Sequence, residues 1–181
     1  MILLPNHQEQ LSGNKIKIDH KMSKIRIRKA VHEDANEIAN VLLDFYNMDN
    51  KDEAKNAFLS ELSKDYKYIV ATDNGSIVGL VTWLMHGLPK HGLFELDRIC
   101  VLSKSRGKGL GEILVNGLIE DAKNWYVEHN SKIRKLYLLT HEDNVLAQNF
   151  YEKVGFSHES TLKSHYYDKL DERLYSIFFS E

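Results

Sequence analysis

Two hydrophobic periods alternate along the chain and predict strands and helices in turn. Runs rich in apolar residues, or alternating with polar ones, are typical of strands, whereas apolar residues three or four positions apart are typical of helices. The predicted strands are 25–28, 66–72, 77–85, 94–101, 136–140, a segment near Tyr166, and 174–179. The pair Asn74 and Gly75 between two of these strands predicts a tight hairpin. Helices are predicted over 34–46, 53–63 and 109–128 and after residue 143.

Helix ends and buried helix faces follow from the same pattern. Asp34 followed three residues later by Glu37 is a capping-box signature for a helix start. Gly155 predicts a left-handed cap at the end of the last helix, with Phe156 folding back onto it. The face of helix 109–128 that we expect to be buried consists of Leu110, Ile113, Leu114, Leu118, Ala122 and Trp125. The corresponding face of the last helix consists of Leu146, Ala147, Phe150, Tyr151 and Val154.

The strand 94–101 changes the parity of its apolar positions. Phe94 and Leu96 occupy even positions, whereas Ile99 and Val101 occupy odd ones. Because side chains alternate strictly across a strand, the change predicts one extra residue, a bulge near 97–98, if both pairs face the same core. The alternative is a strand that is buried on both faces.

Composition restricts the class of protein. The chain has 181 residues, 43% hydrophobic and 28% charged, and its formal net charge is -2. These values favour one globular core over disorder, and an isoelectric point near 6.5 argues against a nucleic-acid-binding surface. The uncharged stretch 75–85 is much shorter than the roughly 20 apolar residues that cross a bilayer, so we expect no membrane span.

Other features bear on domain organisation and compartment. Residues 1–24 are polar and aperiodic, which predicts a disordered or loosely attached extension before a single domain over 25–181. One cysteine, Cys100, cannot form an internal disulfide, which favours a reducing, cytoplasmic compartment. The nine histidines lack metal-ligand spacing, so we expect no metal site.

The segment 106–111, Arg-Gly-Lys-Gly-Leu-Gly, carries the clearest chemical signal. It lies between a predicted strand and the most regular predicted helix, where backbone N–H groups and the helix dipole can bind phosphate. Lys108 and Arg106 add positive charge for a diphosphate. Lys108 is followed by Gly109, which excludes the P-loop pattern, and Glu112 excludes the dinucleotide fingerprint. The alternative is a glycine-rich turn that only packs helix against strand.

These residues and a second motif resemble the GNAT superfamily of N-acetyltransferases. Arg106, Gly109 and Gly111 match the family pattern Arg/Gln-x-x-Gly-x-Gly/Ala. The second motif is matched by Asn144, Ala147, Phe150, Tyr151, Gly155 and Phe156. The resemblance implies an α/β fold, a mixed, mostly antiparallel sheet of about seven strands with about four helices on both faces. Strand 95–102 also bears a weaker similarity to bacterial spermine/spermidine acetyltransferases.

The resemblance implies binding of acetyl-CoA as cosubstrate and direct acetyl transfer to an amine. The backbone N–H groups of 99–101 would contact the thioester carbonyl. Tyr151 would be the general acid towards the departing thiolate, or alternatively an aromatic side chain that only packs. The cofactor-binding residues implied are Ile99, Cys100, Val101, Arg106, Gly107, Lys108, Gly109, Leu110, Gly111, Asn144 and Tyr151. A buried, inert Cys100 is favoured over a covalent acetyl-enzyme.

A general base is also needed, because an alkylamine has a pKa near 10.4. Glu95 is the candidate, acting directly or through water, since the family often has a carboxylate on this strand. The alternative for Glu95 is a surface ion pair with Arg98. His86 and His91 are weaker candidates for the base.

The preferred function is acetylation of a primary amine of a small molecule such as a polyamine. Alternatives are acetylation of a protein N-terminus or lysine, and a non-catalytic acyl-CoA-binding module. The resemblance also implies a homodimer. An acidic stretch could receive a polycation, although we favour an ordinary solvated surface there; it comprises Asp44, Asp49, Asp52 and Glu53.

Overall fold

The computed structural model describes residues 25–45 and 48–180. The predictions for residues 1–24, Tyr46 and Asn47 lie outside them. The strands are β1 Ile25–Lys29, β2 Lys67–Asp73, β3 Ser76–Met85, β4 Leu93–Val101, β5 Lys135–His141, β6 Ser157–Tyr167 and β7 Leu170–Phe178. The α-helices are α1 Ala35–Phe45, α2 Lys51–Ser63, α3 Leu110–Glu128 and α4 Val145–Lys153. Within these residues every predicted strand and helix is confirmed.

The seven strands form one sheet in the order β1-β2-β3-β4-β5-β7-β6. All neighbours are antiparallel except β4 and β5, which are parallel. One core, on the α3 and α4 face, includes Leu114 and Leu118, and a second core, under α1 and α2, includes Ile38 and Phe58. The predicted mixed α/β architecture with helices on both faces is therefore confirmed. None of the helices in the described part of the chain is long and apolar enough to span a membrane.

Strand β4 contains the predicted bulge. Arg98 lies opposite Thr82 and Leu96 lies opposite Trp83, so Asp97 is the extra residue. Apolar residues on both sides of the bulge pack on the α3 face. The change of parity is therefore caused by a bulge. The alternative, a regular strand buried on both faces, is wrong.

The sheet opens between β4 and β5. The two strands pair only where Leu93–Glu95 face Lys135–Tyr137, directly before the bulge. The Leu102 N–H donates to the Val78 carbonyl of β3 at 2.9 Å. Since successive N–H groups of a strand alternate in direction, those of Ile99 and Val101 point away from β3, into the opening.

Asp34 and Glu37 do not form the predicted capping box with each other's backbone. A short 3₁₀ turn, His32–Asp34, precedes α1, so Asp34 lies inside the turn and accepts from the Val31 N–H at 2.8 Å. Arg28 also donates two hydrogen bonds to Asp34, at 2.6 and 2.8 Å. Glu37 instead accepts from the Ile77 N–H at 2.8 Å, which ties α1 to β3.

The turn predictions are confirmed. Asn74 and Gly75 both have positive φ, 51° and 92°, the geometry of a tight two-residue hairpin. Gly155, with φ 99°, caps α4, and the Phe156 N–H donates to the Tyr151 carbonyl at 3.0 Å. The ring of Phe156 packs back on Tyr151 as expected.

Two positions of the predicted helix faces are wrong. Ile113 is exposed, and Leu146, in the first turn of α4, is 86% exposed. Gln148 is buried instead, because its amide donates to the carbonyls of His141 and Glu142 at 3.1 and 2.8 Å. A polar side chain thus takes an interior position where the end of β5 leaves carbonyl oxygens to be satisfied.

Candidate active site

The loop before α3 contains two glycines in the left-handed conformation. Gly107 and Gly109 both have φ 76°, and Gly109 is the residue at which α3 starts. A Cβ added at either position would have no heavy atom within 4 Å. These two glycines are therefore required by the backbone conformation of the loop and not by protein packing.

The loop presents backbone donors at the start of a 19-residue helix. Among the hydrogen bonds of the described residues, none uses the N–H groups of 107–111. Lys108 is exposed on the same loop. Unpaired N–H groups at the positive end of a helix dipole favour a bound anion, so this loop fits the diphosphate of a coenzyme A molecule.

The third glycine has another cause. A Cβ at Gly111 would lie 2.8 and 2.9 Å from ring carbons of Phe150 on α4. Gly111 therefore allows α3 and α4 to approach closely. Gly111 thus serves the packing of helix against helix. Gly107 and Gly109 instead serve the conformation of the loop.

Arg106 is used within the protein. Its Nε donates to the Val101 carbonyl at 3.0 Å, and its guanidinium lies 5.6 Å from the centre of the Phe45 ring. The sequence motif had suggested positive charge for a diphosphate. In the structure Arg106 holds the glycine loop against the open edge of β4.

Cys100 on strand β4 and Asn144 at the start of α4 are two further predicted cofactor-binding residues. Cys100 is buried in the core under α1 and α2, as expected. Asn144 caps α4 by accepting from the Ala147 N–H at 3.2 Å. The predicted role of Asn144 at the cofactor thus coincides with a structural role at the helix start.

Tyr151 has a buried, packed ring and a phenolic hydroxyl. The residue is 8% exposed, and its ring contacts Phe150, Phe156 and Tyr175. No hydrogen bond of the hydroxyl occurs within the described part of the chain. Burial, and to a smaller degree the Cys100 thiol, raise the pKa of Tyr151. The phenol is therefore a hydrogen-bond donor that stays protonated well above neutral pH.

Glu95 lies where β4 and β5 separate, and its side chain is 14% exposed. Its Oε2 lies 2.6 Å from His86 Nε2 and accepts from the Tyr137 hydroxyl at 3.1 Å. The predicted alternative, an ion pair of Glu95 with Arg98, is wrong, because Arg98 binds Glu61 of α2 with two hydrogen bonds, at 2.9 and 3.0 Å. The carboxylate instead belongs to a cluster with a histidine and a phenol.

The two histidines considered as bases have different positions. His86 is in the Glu95 cluster and is partly exposed. His91 Nδ1 accepts from the Leu88 N–H at 3.2 Å, and the His91 carbonyl accepts from Arg134 Nε at 3.0 Å. His91 therefore serves the loop before β4.

Negative charge surrounds the Glu95 cluster. Burial raises the pKa of Tyr66, and the charges of Asp97 and Glu61 raise it further. Burial followed by the charges of Glu95 and Asp97 raises the pKa of Tyr166 in the same way. The charges of Glu95 and Asp97 contribute to both pKa shifts, and the charge of Arg98 opposes the shift of Tyr66.

The acidic stretch 44–53 forms local hydrogen bonds. Asp44 accepts from the N–H and the hydroxyl of Ser103, at 2.8 and 2.9 Å. Glu53 accepts from the Asp49 N–H at 2.6 Å. These bonds support the interpretation of this stretch as a structural surface.

Sequence reasoning missed the partners of Glu95 and of Arg98. Tyr137 lies between the buried Leu136 and Leu138 in β5, so the alternation of side chains predicts that it lies on the opposite face of the sheet. Glu61 lies 37 positions before Arg98, and no pattern in the sequence connects them.

Comparison with known proteins places this architecture among acetyltransferases. The structure resembles that of an acetyltransferase of the GNAT family from Desulfovibrio desulfuricans, with a TM-score of 0.72, 22% identity and coverage of 85% of this chain and 98% of that one. The family model for the acetyltransferase (GNAT) family matches residues 30–156. The chain belongs to this family, as its two motifs suggested.

Curated relatives are similar over part of their length. The chain is 30% identical over 104 residues to a spermine/spermidine N(1)-acetyltransferase of Bacillus subtilis, covering 54% of this chain and 63% of that protein. It is 29% identical over 99 residues to the L-amino acid N-acetyltransferase AaaT of Escherichia coli, covering 55% of this chain and 58% of that protein. The matches thus span about 60% of these relatives.

Proposed function

We propose that the protein transfers the acetyl group of acetyl-CoA to a primary amine of a small polycationic molecule such as a polyamine. The observation that carries this proposal is the position of the Glu95 cluster. It lies at the point where β4 and β5 separate, next to the open edge that continues to the glycine loop. Strand β4 thereby connects Glu95, the proposed base for the amine, with the glycine loop, the proposed binding site of the diphosphate.

The cosubstrate would be held mainly by backbone groups. The N–H groups of 107–111 suit the diphosphate. The N–H groups of Ile99 and Val101 point into the opening, where they suit the amides and the thioester carbonyl of an extended coenzyme arm. Acetyl-CoA supplies an activated acyl carbon, and the chain supplies the donors that orient it.

Glu95 would accept a proton from the ammonium form of the acceptor, directly or through water. The amine nitrogen then forms a bond to the acetyl carbon while the carbon–sulfur bond breaks, and the nitrogen releases its second proton to solvent. The Ile99 N–H would stabilise the negative charge that develops on the carbonyl oxygen. His86, hydrogen-bonded to Glu95 and partly exposed, provides a path for the proton to solvent.

Tyr151 would donate a hydrogen bond to the departing thiolate. Because burial raises its pKa, complete proton transfer to a thiolate of pKa near 8.5 is unfavourable. Hydrogen bonding to the thiolate is therefore the larger part of the role we assign to this phenol. The proton that the thiolate finally takes can come from solvent.

Charge distinguishes the two acceptor classes suggested by the relatives. An L-amino acid carries a carboxylate that needs a cationic partner, whereas a polyamine carries only cations. Arg98, three residues after Glu95, is paired with Glu61 and lies 3.6 Å from Asp97. The excess of carboxylates favours the polyamine, and similarity to AaaT makes amino acids the second candidate.

Two further properties belong to the same proposal. The single buried thiol, Cys100, suits the cytoplasm, and the family resemblance suggests a homodimer. A purely acyl-CoA-binding role has less support, because binding alone requires neither the Glu95 cluster nor the hydroxyl of Tyr151.

A panel of acceptors tests the proposal. Thiol release from acetyl-CoA is measured with spermidine, spermine, putrescine, several L-amino acids and N-terminal peptides. We expect polyamines to give kcat/KM values at least about a hundredfold above those of amino acids. A preference for amino acids or peptides would contradict the polyamine as the acceptor. Binding of acetyl-CoA without thiol release in the presence of any amine would refute the enzymatic activity.

A further inference from the structure

The bulge in β4 is anchored by side chains on the face opposite to Ile99. Arg98 donates two hydrogen bonds to Glu61 of α2, and each of these two side chains is only 18% exposed. The Tyr68 hydroxyl of β2 accepts from Arg98 at 3.2 Å and donates to Glu61. The residue directly before the proposed carbonyl donor is thus fixed to α2 and to β2, the strand beyond β3 in the sheet.

The extra residue of the bulge has its own anchor. Asp97 accepts from the Thr82 hydroxyl of β3 at 3.1 Å, and Arg98 Nη2 lies 3.6 Å from the same carboxylate. The side chains of the two bulge residues therefore bind β3 and α2 separately. The acetyl-transfer steps described above use neither Glu61 nor Thr82.

This anchoring matters because β4 has lost one neighbour at the bulge. Its ladder with β5 ends at Glu95, so the backbone from 96 to 101 is paired only with β3. An edge segment with an extra residue has fewer backbone hydrogen bonds to define its position. Side-chain anchors can supply the missing constraint.

We propose that the Glu61–Arg98 ion pair is a positioning device that sets the direction of the Ile99 N–H towards the thioester carbonyl. The inference rests on the proposed acetyl transfer. Glu61 is a positioning residue, because it acts through Arg98 and the bulge. Through this pair α2, on the acceptor side of the sheet, determines the geometry of the donor that the transition state needs.

The size of the effect follows from the precision that such donors require. Removing one donor to a developing oxyanion costs about 10²–10³ in kcat, and a displacement of about 1 Å has a smaller effect of the same kind. We therefore expect Glu61→Gln to lower kcat about tenfold or more. Coenzyme A itself lacks the acetyl carbonyl, so its affinity is expected to stay within about twofold.

The experiment measures the hydrogen bond to the carbonyl directly. Acetyl-CoA labelled with carbon-13 at the carbonyl is bound to the full-length protein, without amine, and the infrared stretch of its thioester is recorded. In the wild type this band is expected at lower frequency than in water, and in Glu61→Gln we expect a smaller shift. The matched control is Glu120→Gln, an exposed carboxylate paired with Lys123 on α3 at 2.6 Å. This control is expected to match the wild type.

The outcomes separate this inference from the function on which it rests. A folded Glu61→Gln variant with the wild-type band and kcat overturns the positioning role. A wild type that neither shifts the band nor acetylates any amine refutes the proposed function itself. If Glu61→Gln does not fold, Arg98→Lys replaces it; Lys keeps the charge but lacks the two-pronged contact, and an unchanged band in this variant also overturns the inference.

Discussion

The two halves of the candidate site are built from different parts of the polypeptide. The cofactor half, defined as 99–111 and 144–151, presents mainly backbone N–H groups, held in place by glycine conformations and by a helix start. The acceptor half, defined as Glu95 with His86, Tyr137, Asp97 and Tyr166, presents side chains from three strands and from the residue that follows β3. A backbone site constrains a short local sequence, whereas a side-chain site depends on tertiary contacts. The first therefore leaves a motif in the sequence and the second does not.

The largest effect is expected from Gly109→Val, which breaks the cofactor half alone. A β-branched residue is strongly disfavoured at φ 76°, so the loop must change conformation and its N–H array is lost. We expect binding of acetyl-CoA to become undetectable by calorimetry while the melting temperature changes little. Normal binding would refute the backbone cradle.

Gly111→Ala is the matched control for this experiment. Its Cβ would clash with the ring of Phe150, so we expect a lower melting temperature. The second substitution Phe150→Leu should restore part of the loss by removing the clash. Equal behaviour of Gly109→Val and Gly111→Ala would mean that both glycines serve packing, contrary to the division described above.

The difference between the halves also explains how much the sequence predicted. All described strands and helices, the Asp97 bulge and the glycine loop follow from local periodicity or backbone requirements. The errors, at Glu37, Ile113 and Leu146, are positions where a tertiary partner or its absence decides the outcome. Glu37 has the residue type and spacing of a cap, yet the N–H of Ile77, 40 positions away, takes its carboxylate.

The acceptor half shows the same limit more strongly. Its strand and the family resemblance identify Glu95 as the candidate base. They do not identify His86 as its hydrogen-bond partner. Arg98 is closer in sequence, whereas the bulge at Asp97 and the course of β3 bring His86 to the carboxylate. A charge pair predicted from sequence proximity fails because one extra residue changes which side chains are neighbours.

The next largest effect is expected from Glu95→Gln, which tests the acceptor half. Glutamine keeps the size and can still accept from Tyr137, but it cannot take a proton. We expect kcat to fall about a hundredfold, the range typical of a positioned base. Calorimetry should show unchanged affinity for acetyl-CoA, since that affinity resides in the other half.

His86→Gln provides the comparison for that variant. If Glu95 is the base, kcat falls much further in Glu95→Gln than in His86→Gln. The reverse result would assign the base to His86 and leave Glu95 to orient it.

The smallest effect is expected from Tyr151→Phe, at the end of the cofactor half. Phenylalanine preserves the packed ring and removes only the hydroxyl, so the fold and the affinity for acetyl-CoA should be unchanged. A hydrogen bond to a thiolate is worth about 1.5 kcal/mol, or about tenfold in kcat. Because burial raises the pKa of Tyr151, the phenol remains protonated through pH 10 and its contribution should not decline up to that pH. An alkaline limb below pH 10 that is present in the wild type and absent in Tyr151→Phe would contradict the raised pKa, and wild-type turnover of the variant would leave Tyr151 only its packing role.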